Sequence, residues 1–334
     1  MRENPAPQPC TIDESVHKRF DQSKTIFARI AHDKDSEFFG ASIYDNAKAI
    51  VAQGRQGYSR TDLARAMGAW TAYDYFGKAF SWEPLGNANN VLTKPNLEKL
   101  PTDDPPALSA LVKDTAGFYG ATDTGIARLN TRWVYARDRQ GRPIEIPEDC
   151  RFAIVMTIAM DPAAIATSPN FTACAETGLA YSRMAFVIGC LAEFIRNLGY
   201  RAIPMGNDTA LSIPLAVDAG LGELGRNGLL ITPDRGPCVR ICKVFTDMPL
   251  APDHPITFGV SDFCRSCARC ADACEAGAIR RDKDPSYDHD PEFNSPGVLR
   301  WAVDHKKCFN FWMKNGGECS NCIAACPLSH CPKS

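Results

Sequence analysis

The alternation of apolar and polar residues in the second half of the chain predicts a mixture of strands and helices. Residues 152–160 are almost continuously apolar, which predicts a buried strand. Within residues 177–198 the apolar positions recur at helical spacing, so we predict a long helix with a buried face. A strand, a short helix and two further strands are predicted at residues 200–205, 209–220, 229–232 and 239–245.

The first 150 residues have a less regular pattern, in which helical segments alternate with connectors rich in proline and aspartate, such as residues 101–106. Ser59 and Asp62 have the residue types of a helix start, and we predict a helix that begins there and runs through an aromatic stretch. The aromatic residues of this helix are Trp70, Tyr73 and Phe76.

Two changes along the chain predict domain boundaries. From residue 151 the pattern becomes strongly apolar, and the segment 252–255 begins and ends with proline, as linkers often do. We therefore predict three units, at residues 1–150, 151–255 and 256–334.

A glycine-rich turn occupies residues 220–228. It lacks the strand and helix that flank a dinucleotide-binding turn, and it has no terminal Gly-Lys-Ser/Thr, so we do not interpret it as a nucleotide site. Glycine has no Cβ atom to hold a partner away. We therefore expect this turn to let the backbone approach a flat cofactor closely.

Composition excludes several classes of protein. The chain has 334 residues with 37 basic and 39 acidic side chains, so no positive surface charge indicates nucleic acid binding. The run 152–160 is far shorter than the roughly 20 apolar residues that span a bilayer. The N-terminus carries neither a secretory hydrophobic region nor a twin-arginine pair. The sequence as written predicts a cytoplasmic protein, and a processed mature form would instead lie at the exterior face of a membrane.

Eight cysteines in the last quarter of the chain carry the strongest chemical signal. The first four follow the spacing C-x2-C-x2-C-x3-C of bacterial two-cluster ferredoxins, in which the fourth cysteine ligates the other [4Fe–4S] cluster. Four thiolates per cluster then account for all eight residues. We assign cluster 1 to Cys264, Cys267, Cys270 and Cys326. We assign cluster 2 to Cys274, Cys308, Cys319 and Cys322.

Two other uses of cysteine fit this pattern less well. Structural zinc usually takes two separated pairs or a mixture of cysteine and histidine, rather than four cysteines so close together. Disulfide frameworks are typical of small secreted domains. The seven remaining cysteines are interpreted as small apolar residues, at positions 10, 150, 174, 190, 238, 242 and 331. Iron–sulfur thiolates also favour a reducing or anaerobic setting.

Residues 150–330 resemble the corrinoid-dependent reductive dehalogenases of the tetrachloroethene type. The segments that carry the resemblance are 178–181, 191–204, 206–214, 220–233, 296–301 and 308–319. The resemblance implies an α+β fold, with a nitroreductase-like cobalamin-binding core at 151–255 and a C-terminal ferredoxin-like domain with two [4Fe–4S] clusters at 256–334. It also implies that the variable region 1–150 covers the substrate pocket. The chain has no Asp-x-His-x-x-Gly motif, so the cobalamin is expected to bind with its base displaced.

The same resemblance implies roles for single residues. Tyr181 matches the family's proton-donating tyrosine, Arg240 its arginine partner and Asn207 the asparagine that orients substrate or tyrosine. A phenol with a pKa of about 10 is a poor acid at neutral pH unless a cation stabilises the phenolate. Further corrinoid contacts are expected from Met184, Gly206, Ser212, Gly225 and Asn227. The pocket wall is expected to include Thr177, Phe311 and Trp312.

The implied activity is reductive dehalogenation, which replaces carbon–halogen with carbon–hydrogen and consumes two electrons and one proton. The partners implied are a small halogenated substrate, an external low-potential electron donor, and a small membrane-anchor protein or a second copy of the chain. Two alternatives remain open. Epoxyqueuosine reductases share cobalamin and two clusters but use an acidic proton donor, and a ferredoxin-type electron carrier would need no corrinoid.

Overall fold

The structure, a computed structural model, describes residues 10–76, 80, 98–100 and 104–329. Part of the predicted connector at 101–106 and all of Cys331 therefore lie outside the described residues. Within the described part, helices and strands mix along the chain, and the predicted α+β class is confirmed.

Short helices dominate the N-terminal part of the described chain. They are α1 Ile26–His32, α2 Ala47–Ala52, α3 Arg60–Ala69, α4 Thr71–Tyr75 and α5 Pro105–Phe118. The predicted helix start is confirmed, because Ser59 accepts a hydrogen bond from the backbone of Asp62 and the Asp62 side chain accepts one in return. The helix does not run straight through the aromatic stretch. It breaks at Trp70, and α4 continues from there in a new direction.

The centre of the molecule is an antiparallel sheet in the order β1-β2-β6-β3. The strands of the described chain are β1 Asp123–Arg128, β2 Phe152–Ala159, β3 Ala202–Met205, β4 Glu223–Leu224, β5 Leu230–Ile231 and β6 Val239–Thr246. The strands predicted from residue 152 onward are confirmed. β1 was not predicted, and it brings a segment of the first 150 residues into the core sheet. β4 and β5 form a separate hairpin around the glycine-rich turn.

Helices cover both faces of the sheet. The helices of this part are α6 Pro162–Ile165, α7 Phe171–Asn197 and α8 Ser212–Asp218. α7 packs on the face that carries Ile154 and Val244, whereas α8 packs on the face that carries Val155 and Phe245. Because alternate residues of a strand point to opposite faces, the continuous apolar runs in β2 and β6 are explained by a sheet buried on both sides.

The helix α7 is longer than predicted. It begins at residue 171 because Asn170 caps it, with Oδ1 accepting hydrogen bonds from the backbone of Thr172 and Ala173. By length and composition α7 is also apolar enough to cross a membrane. More than half of that stretch is buried against the rest of the fold, so this is weak evidence for a membrane span.

The C-terminal part consists of short helices joined by loops that carry the cluster cysteines. The helices are α9 Val260–Ser266, α10 Arg269–Asp272, α11 His305–Asn315 and α12 Asn321–Ala324. α12 contacts α6 and α10, so the end of the described chain returns both to the core and to the first cysteine run.

Candidate functional site

Four cysteines from two distant segments line one cavity in the C-terminal part. These are the residues assigned to cluster 1, Cys264, Cys267, Cys270 and Cys326. Burial raises the pKa of the Cys270 thiol to about 12, and the neighbouring Cys264 and Cys326 thiolates add to that rise. These buried thiols disfavour the charged form when no metal is bound. Metal binding requires thiolates, and the positive charge of an iron cluster would compensate the charge of the thiolates.

The second quartet also converges. Burial raises the pKa of the Cys308 thiol to about 12, with further contributions from the charges of Cys319 and Cys274. Burial likewise raises the pKa of Cys322, followed by the effects of Cys319 and Cys308. Each member of the quartet therefore lies close enough to the others to affect their ionisation.

The spacing of the ligands within each quartet bears on the zinc alternative. In the part of the chain that the structure describes, no three His, Cys, Asp or Glu side chains converge tightly enough to hold a single metal ion. In an iron–sulfur cube each thiolate binds a different iron atom, so the four sulfurs stand further apart than around one zinc. Eight cysteines in two groups of four are the number of thiolates that two cubes require.

Tyr181 lies on α7, where it meets residues from two other elements. Its phenolic oxygen accepts a hydrogen bond of 2.8 Å from Nδ2 of Asn207, in the loop after β3. The guanidinium carbon of Arg240, on β6, lies 5.4 Å from the centre of the Tyr181 ring. The three residues implied as catalytic are therefore neighbours, and their roles stay predictions.

Two aromatic residues enclose Tyr181 on its other sides. The ring of Trp70 stacks on that of Tyr181, with centroids 4.9 Å apart and an angle of 27° between the planes. Tyr73 lies 5.0 Å away at a tilt. This stacking requires Gly178, because a Cβ atom there would lie 2.6 Å from the Trp70 ring. Sequence reasoning placed Trp70 and Tyr73 in a helix but missed their position beside Tyr181.

Arg240 has one buried hydrogen-bond donor that no described residue accepts. Its Nη2 atom lies 3.3 Å from the hydroxyl of Thr177, to which it donates. Its Nε atom is buried and has no partner among the described residues. An orphaned buried donor carries a free-energy cost that an acceptor group would remove. The site therefore fits a bound molecule that presents an acceptor beside Tyr181.

A buried carboxylate lies near Arg240. Burial raises the pKa of Glu318, while the Tyr44 hydroxyl and the charge of Arg240 act in the opposite direction. The Tyr44 hydroxyl donates to Glu318 at 3.0 Å. Glu318 directly precedes Cys319, so the tyrosine site and the second cysteine quartet are adjacent in the structure.

The loop that carries Asn207 is held by a fully buried lysine. Lys243, on β6, donates from Nζ to the carbonyl oxygen of Gly206 at 2.6 Å and to the hydroxyl of Ser212 at 3.0 Å. Burial lowers the pKa of Lys243 to about 7. Asp208 in the same loop accepts a hydrogen bond of 2.7 Å from Gln22. Lys243 thus holds the loop at Gly206 and Ser212, and Gln22 of the N-terminal region holds it at Asp208.

The remaining predicted contacts lie in three places. Met184 is buried on α7, and its methyl group lies 3.7 Å from where a Cβ atom of Gly206 would stand, so these two residues are neighbours. Phe311 is half-buried on α11. Trp312, also on α11, packs with Phe27 and Phe309, and its buried Nε1 has no partner among the described residues.

The glycines of the glycine-rich turn allow close approaches within the protein, and the predicted approach of this turn to a flat cofactor stays a prediction. A Cβ atom at Gly222 would lie 2.1 Å from the carbonyl oxygen of Ile231, and one at Gly225 would lie 2.8 Å from the Ile231 side chain. These close approaches are made to the hairpin's own second strand. Asn227 lines the cavity of the first cysteine quartet, so this turn faces the C-terminal part of the molecule.

Comparison with known proteins agrees with this arrangement. Residues 263–329 match the family of 4Fe-4S dicluster domains, so the chain contains such a domain. The tetrachloroethene reductive dehalogenase of Sulfurospirillum multivorans is 36% identical over 312 residues, which cover 82% of this chain and 62% of that protein. The tetrachloroethene reductive dehalogenase of Desulfitobacterium hafniense is 52% identical over 260 residues, which cover 65% of this chain and 47% of that protein.

The fold is shared with solved structures. A reductive dehalogenase described as performing B12-dependent dehalogenation superimposes with a TM-score of 0.74 at 22% identity, covering 99% of this chain and 44% of that one. At this identity the match concerns the fold alone. The chain spans roughly half to three fifths of the length of the curated relatives above.

Proposed function

We propose that this chain, a homologue of the tetrachloroethene reductive dehalogenases, removes halide from a small halogenated organic compound and leaves a carbon–hydrogen bond in its place. The observation that carries the proposal is the contact set of Tyr181, whose hydroxyl is held by Asn207 while Arg240 lies over its ring. This set lies near the second cysteine quartet, because the charge of Arg240 acts on Glu318, which directly precedes Cys319. Proton and electron sources are thus close together.

In this proposal Tyr181 donates the proton that the carbon takes up as halide leaves. Arg240 stabilises the phenolate that remains, because its guanidinium is a planar cation that lies over the Tyr181 ring. Asn207 donates to the phenolic oxygen, which directs the hydroxyl hydrogen away from the amide and toward the open side of the site. Trp70 and Tyr73 keep water from the ring and strengthen these electrostatic effects.

The proposed cofactors are two [4Fe–4S] clusters and a cobalamin. When bound, the cobalamin would supply the reductive cleavage of the carbon–halogen bond, with electrons from the clusters. We assign its contacts to Met184, Gly206, Ser212, Gly225 and Asn227, and the substrate wall to Thr177, Phe311 and Trp312. Support for a bound partner here comes from the buried Nε donor of Arg240, which no described residue accepts. Because the sequence lacks a lower-ligand histidine motif, we propose base-off binding.

The division into units belongs to the same proposal. Residues 1–150 would cover the substrate pocket, 151–255 would bind the corrinoid and 256–334 would carry the clusters. The position of Trp70 and Tyr73 beside Tyr181 supports a pocket role for the first unit. An external low-potential donor would supply electrons, and a small membrane-anchor protein or a second copy of the chain is the proposed macromolecular partner. We propose a cytoplasmic location, or the exterior face of a membrane for a processed form.

The test is anaerobic reconstitution with iron, sulfide and cobalamin, followed by measurement of halide released from a panel of aryl and alkenyl halides under a low-potential reductant. We expect halide release from at least one class and a base-off corrinoid spectrum. A protein that takes up iron but no corrinoid would be an electron carrier instead. Corrinoid uptake with turnover of epoxyqueuosine and of no halide would establish the reductase alternative.

A further inference from the structure

A buried arginine joins the β4–β5 hairpin to the cysteine domain. The side chain of Arg226 is almost fully buried, with 2% of the residue exposed. Its Nη2 and Nε atoms donate to the carbonyl oxygen of Cys264 at 2.6 and 3.1 Å, and Nε also donates to that of Cys267 at 2.9 Å. Its Nη1 donates to the carbonyls of Arg280 and Asp282 at 3.0 and 2.7 Å. One guanidinium thus holds the first ligand loop and a second segment of the same domain.

The guanidinium has no carboxylate partner among the described residues. Its flat face lies over the ring of Trp301, with the central carbon 4.9 Å from the ring centre, and the Trp301 Nε1 atom donates to Asp282 at 3.0 Å. Three other arginines of this domain are less buried, and each lies near an aspartate; they are Arg265, Arg280 and Arg281. Arg226 carries a buried positive charge that only carbonyl dipoles and a π-face stabilise.

A buried charge without a counter-ion is costly. Arg226 lines the same cavity as the four cysteines assigned to cluster 1. Its charge lowers the pKa of Cys270, although burial and the neighbouring thiolates dominate and raise it. Four thiolates give a bound cube a net negative charge, which places the missing counter-charge directly beside the guanidinium.

We propose that Arg226 is the counter-charge and positioning residue of cluster 1, and that it raises the reduction potential of that cluster. This rests on the proposed assignment of Cys264, Cys267, Cys270 and Cys326 to one cube. The reduced cluster carries one more negative charge than the oxidised cluster, so a fixed cation beside it stabilises the reduced form. Net charge and hydrogen bonding around the sulfurs are the properties by which proteins set such potentials.

The position of Arg226 beside the first quartet means that its charge should act more strongly on cluster 1 than on cluster 2. Arg226 reaches the first cysteine quartet from the β4–β5 hairpin, which also carries Asn227. Its hydrogen bonds go to the carbonyls of ligand residues, so they hold the ligand loop while the charge acts on the cluster. Positioning and electrostatics can be separated by substitution, because lysine keeps the charge and cannot reproduce the planar fork of five donors.

The experiment is a redox titration of the anaerobically reconstituted protein, followed by electron paramagnetic resonance. A Cys270→Ser variant identifies the signal of cluster 1. In Arg226→Gln we expect the ratio of reduced to oxidised cluster 1 at a fixed potential to fall at least about tenfold, which is about 59 mV for a one-electron couple. Cluster 2 should shift less. Arg226→Lys should keep the potential of cluster 1 near wild type while lowering thermal stability. Arg280→Gln, which removes a less buried charge from the same domain, should leave both potentials unchanged.

Each other outcome is decisive. A fully loaded Arg226→Gln protein with the wild-type potential for cluster 1 would overturn the proposal, as would equal shifts in both clusters. If Arg226→Gln does not retain cluster 1, the lysine variant decides, because loss of cluster 1 there as well would show that the hydrogen bonds matter and the charge does not. A wild-type protein without two cube signals would instead refute the cluster assignment, and with it the proposed function.

Discussion

At the scale of single residues, the proposed reaction depends on how the weak acid Tyr181 can donate a proton at neutral pH. A phenol with a pKa of about 10 gives up its proton reluctantly at neutral pH. In the proposed mechanism the guanidinium of Arg240 over the ring and the amide of Asn207 at the oxygen both stabilise the phenolate, while Trp70 stacks on the ring. Each of these effects can be tested by a change that leaves the cofactors in place.

Replacing Tyr181 with phenylalanine removes the proton and keeps the ring. We expect Tyr181→Phe to retain iron and corrinoid but to lose turnover by a factor of about 10²–10⁴, the usual contribution of a positioned acid. Tyr75→Phe is the matched control, because Tyr75 is 78% exposed on α4 and should leave halide release unchanged. Near-normal turnover in fully loaded Tyr181→Phe would show that water supplies the proton.

Arg240→Lys tests the cation separately. The charge is kept, but an ammonium cannot both cover the ring and donate to Thr177 as the planar guanidinium does. We expect a fall in kcat together with an alkaline limb of the pH–rate profile that moves to higher pH, because a less well placed cation favours the phenolate less. A purely structural role would change stability alone. An unchanged profile with full activity would contradict the role of Arg240.

The buried amine of Lys243 predicts a pH dependence of folding. Its pKa falls from an ordinary value of 10.5 to about 7 because the charged form is desolvated. Between these pH values the unfolded chain binds a proton that the folded chain does not, so stability rises with pH across this window. We expect the free energy of unfolding to increase by up to about 1.4 kcal/mol per pH unit above pH 7, as measured by anaerobic denaturant titration.

Lys243→Met is the control for that dependence. It removes the titrating amine, so the slope above pH 7 should be lower than in the wild type by roughly the same amount, whereas the ionisation of unfolded thiols affects both proteins equally. Equal slopes in the two proteins would show that Lys243 stays charged in the folded state, held by the Gly206 carbonyl and the Ser212 hydroxyl.

At the scale of elements, the break between α3 and α4 decides what surrounds Tyr181. Because the helix ends at residue 69, Trp70 turns onto α7, and only a glycine at position 178 leaves room for its ring. Gly178→Ala would gain up to about 1 kcal/mol of helix propensity. The overpacking it causes costs about 1–3 kcal/mol, so we expect a net loss of stability and of halide release.

Gly68→Ala is the matched control for this change. Gly68 also lies within a helix, α3, but nothing stands within 4 Å of a Cβ atom there. We expect it to raise the thermal midpoint slightly and to leave activity unchanged. If Gly178→Ala had the same stability and halide release as Gly68→Ala, the stacking of Trp70 on Tyr181 would contribute nothing to either.

Most elements of the core could be predicted from the sequence, because each is a single run with a clear period. β2 and β6 are continuous apolar runs, and α7 has seven apolar residues at helical spacing. β1 could not be predicted, since its sequence Asp-Thr-Gly-Ile-Ala-Arg is short and has few apolar residues. It becomes a strand through pairing with β2, which is a tertiary effect.

The candidate site was predictable to a smaller extent. Cysteine spacing alone indicated the clusters, because ligation imposes that spacing, and the resemblance brought in Tyr181, Asn207 and Arg240. The sequence did not predict the position of Trp70 beside Tyr181 or the contacts of Arg226 with the cysteine domain. Each reaches its partner across a long stretch of sequence, and neither has a local pattern that distinguishes it from an ordinary core or surface residue.

At the scale of the whole molecule, the two cysteine quartets predict a definite metal content. We expect about eight iron and about eight acid-labile sulfide per chain after reconstitution. Cys270→Ser should damage cluster 1 first, and Cys238→Ser, a buried cysteine outside both quartets, should keep the full content. Finding zinc without sulfide would refute the cluster assignment.

The second quartet is also tied to the catalytic helix by hydrogen bonds. Ser168, just before α7, accepts from the backbone of Ser320 at 2.7 Å and donates to the side chain of Asn321 at 2.6 Å. Asn315 donates to the Pro169 carbonyl at 2.7 Å. The start of α7 and the loop around Cys319 therefore form one hydrogen-bonded unit, which ties the second quartet to the helix that carries Tyr181.

The interleaved order of the cluster ligands bears on how the protein is made. In our assignment Cys274 belongs to the second cube although it follows directly on three ligands of the first, and Cys326, the last of the eight, closes the first. During synthesis, neither cluster can therefore have all four of its ligands until nearly the whole C-terminal domain has left the ribosome. Since domains generally fold in the order of synthesis, the core that presents Arg226 would already stand before any iron is fully ligated. A newly made chain thus passes through a stage with eight free thiols, and it is at this stage, before the finished enzyme exists, that oxidants would do the most harm.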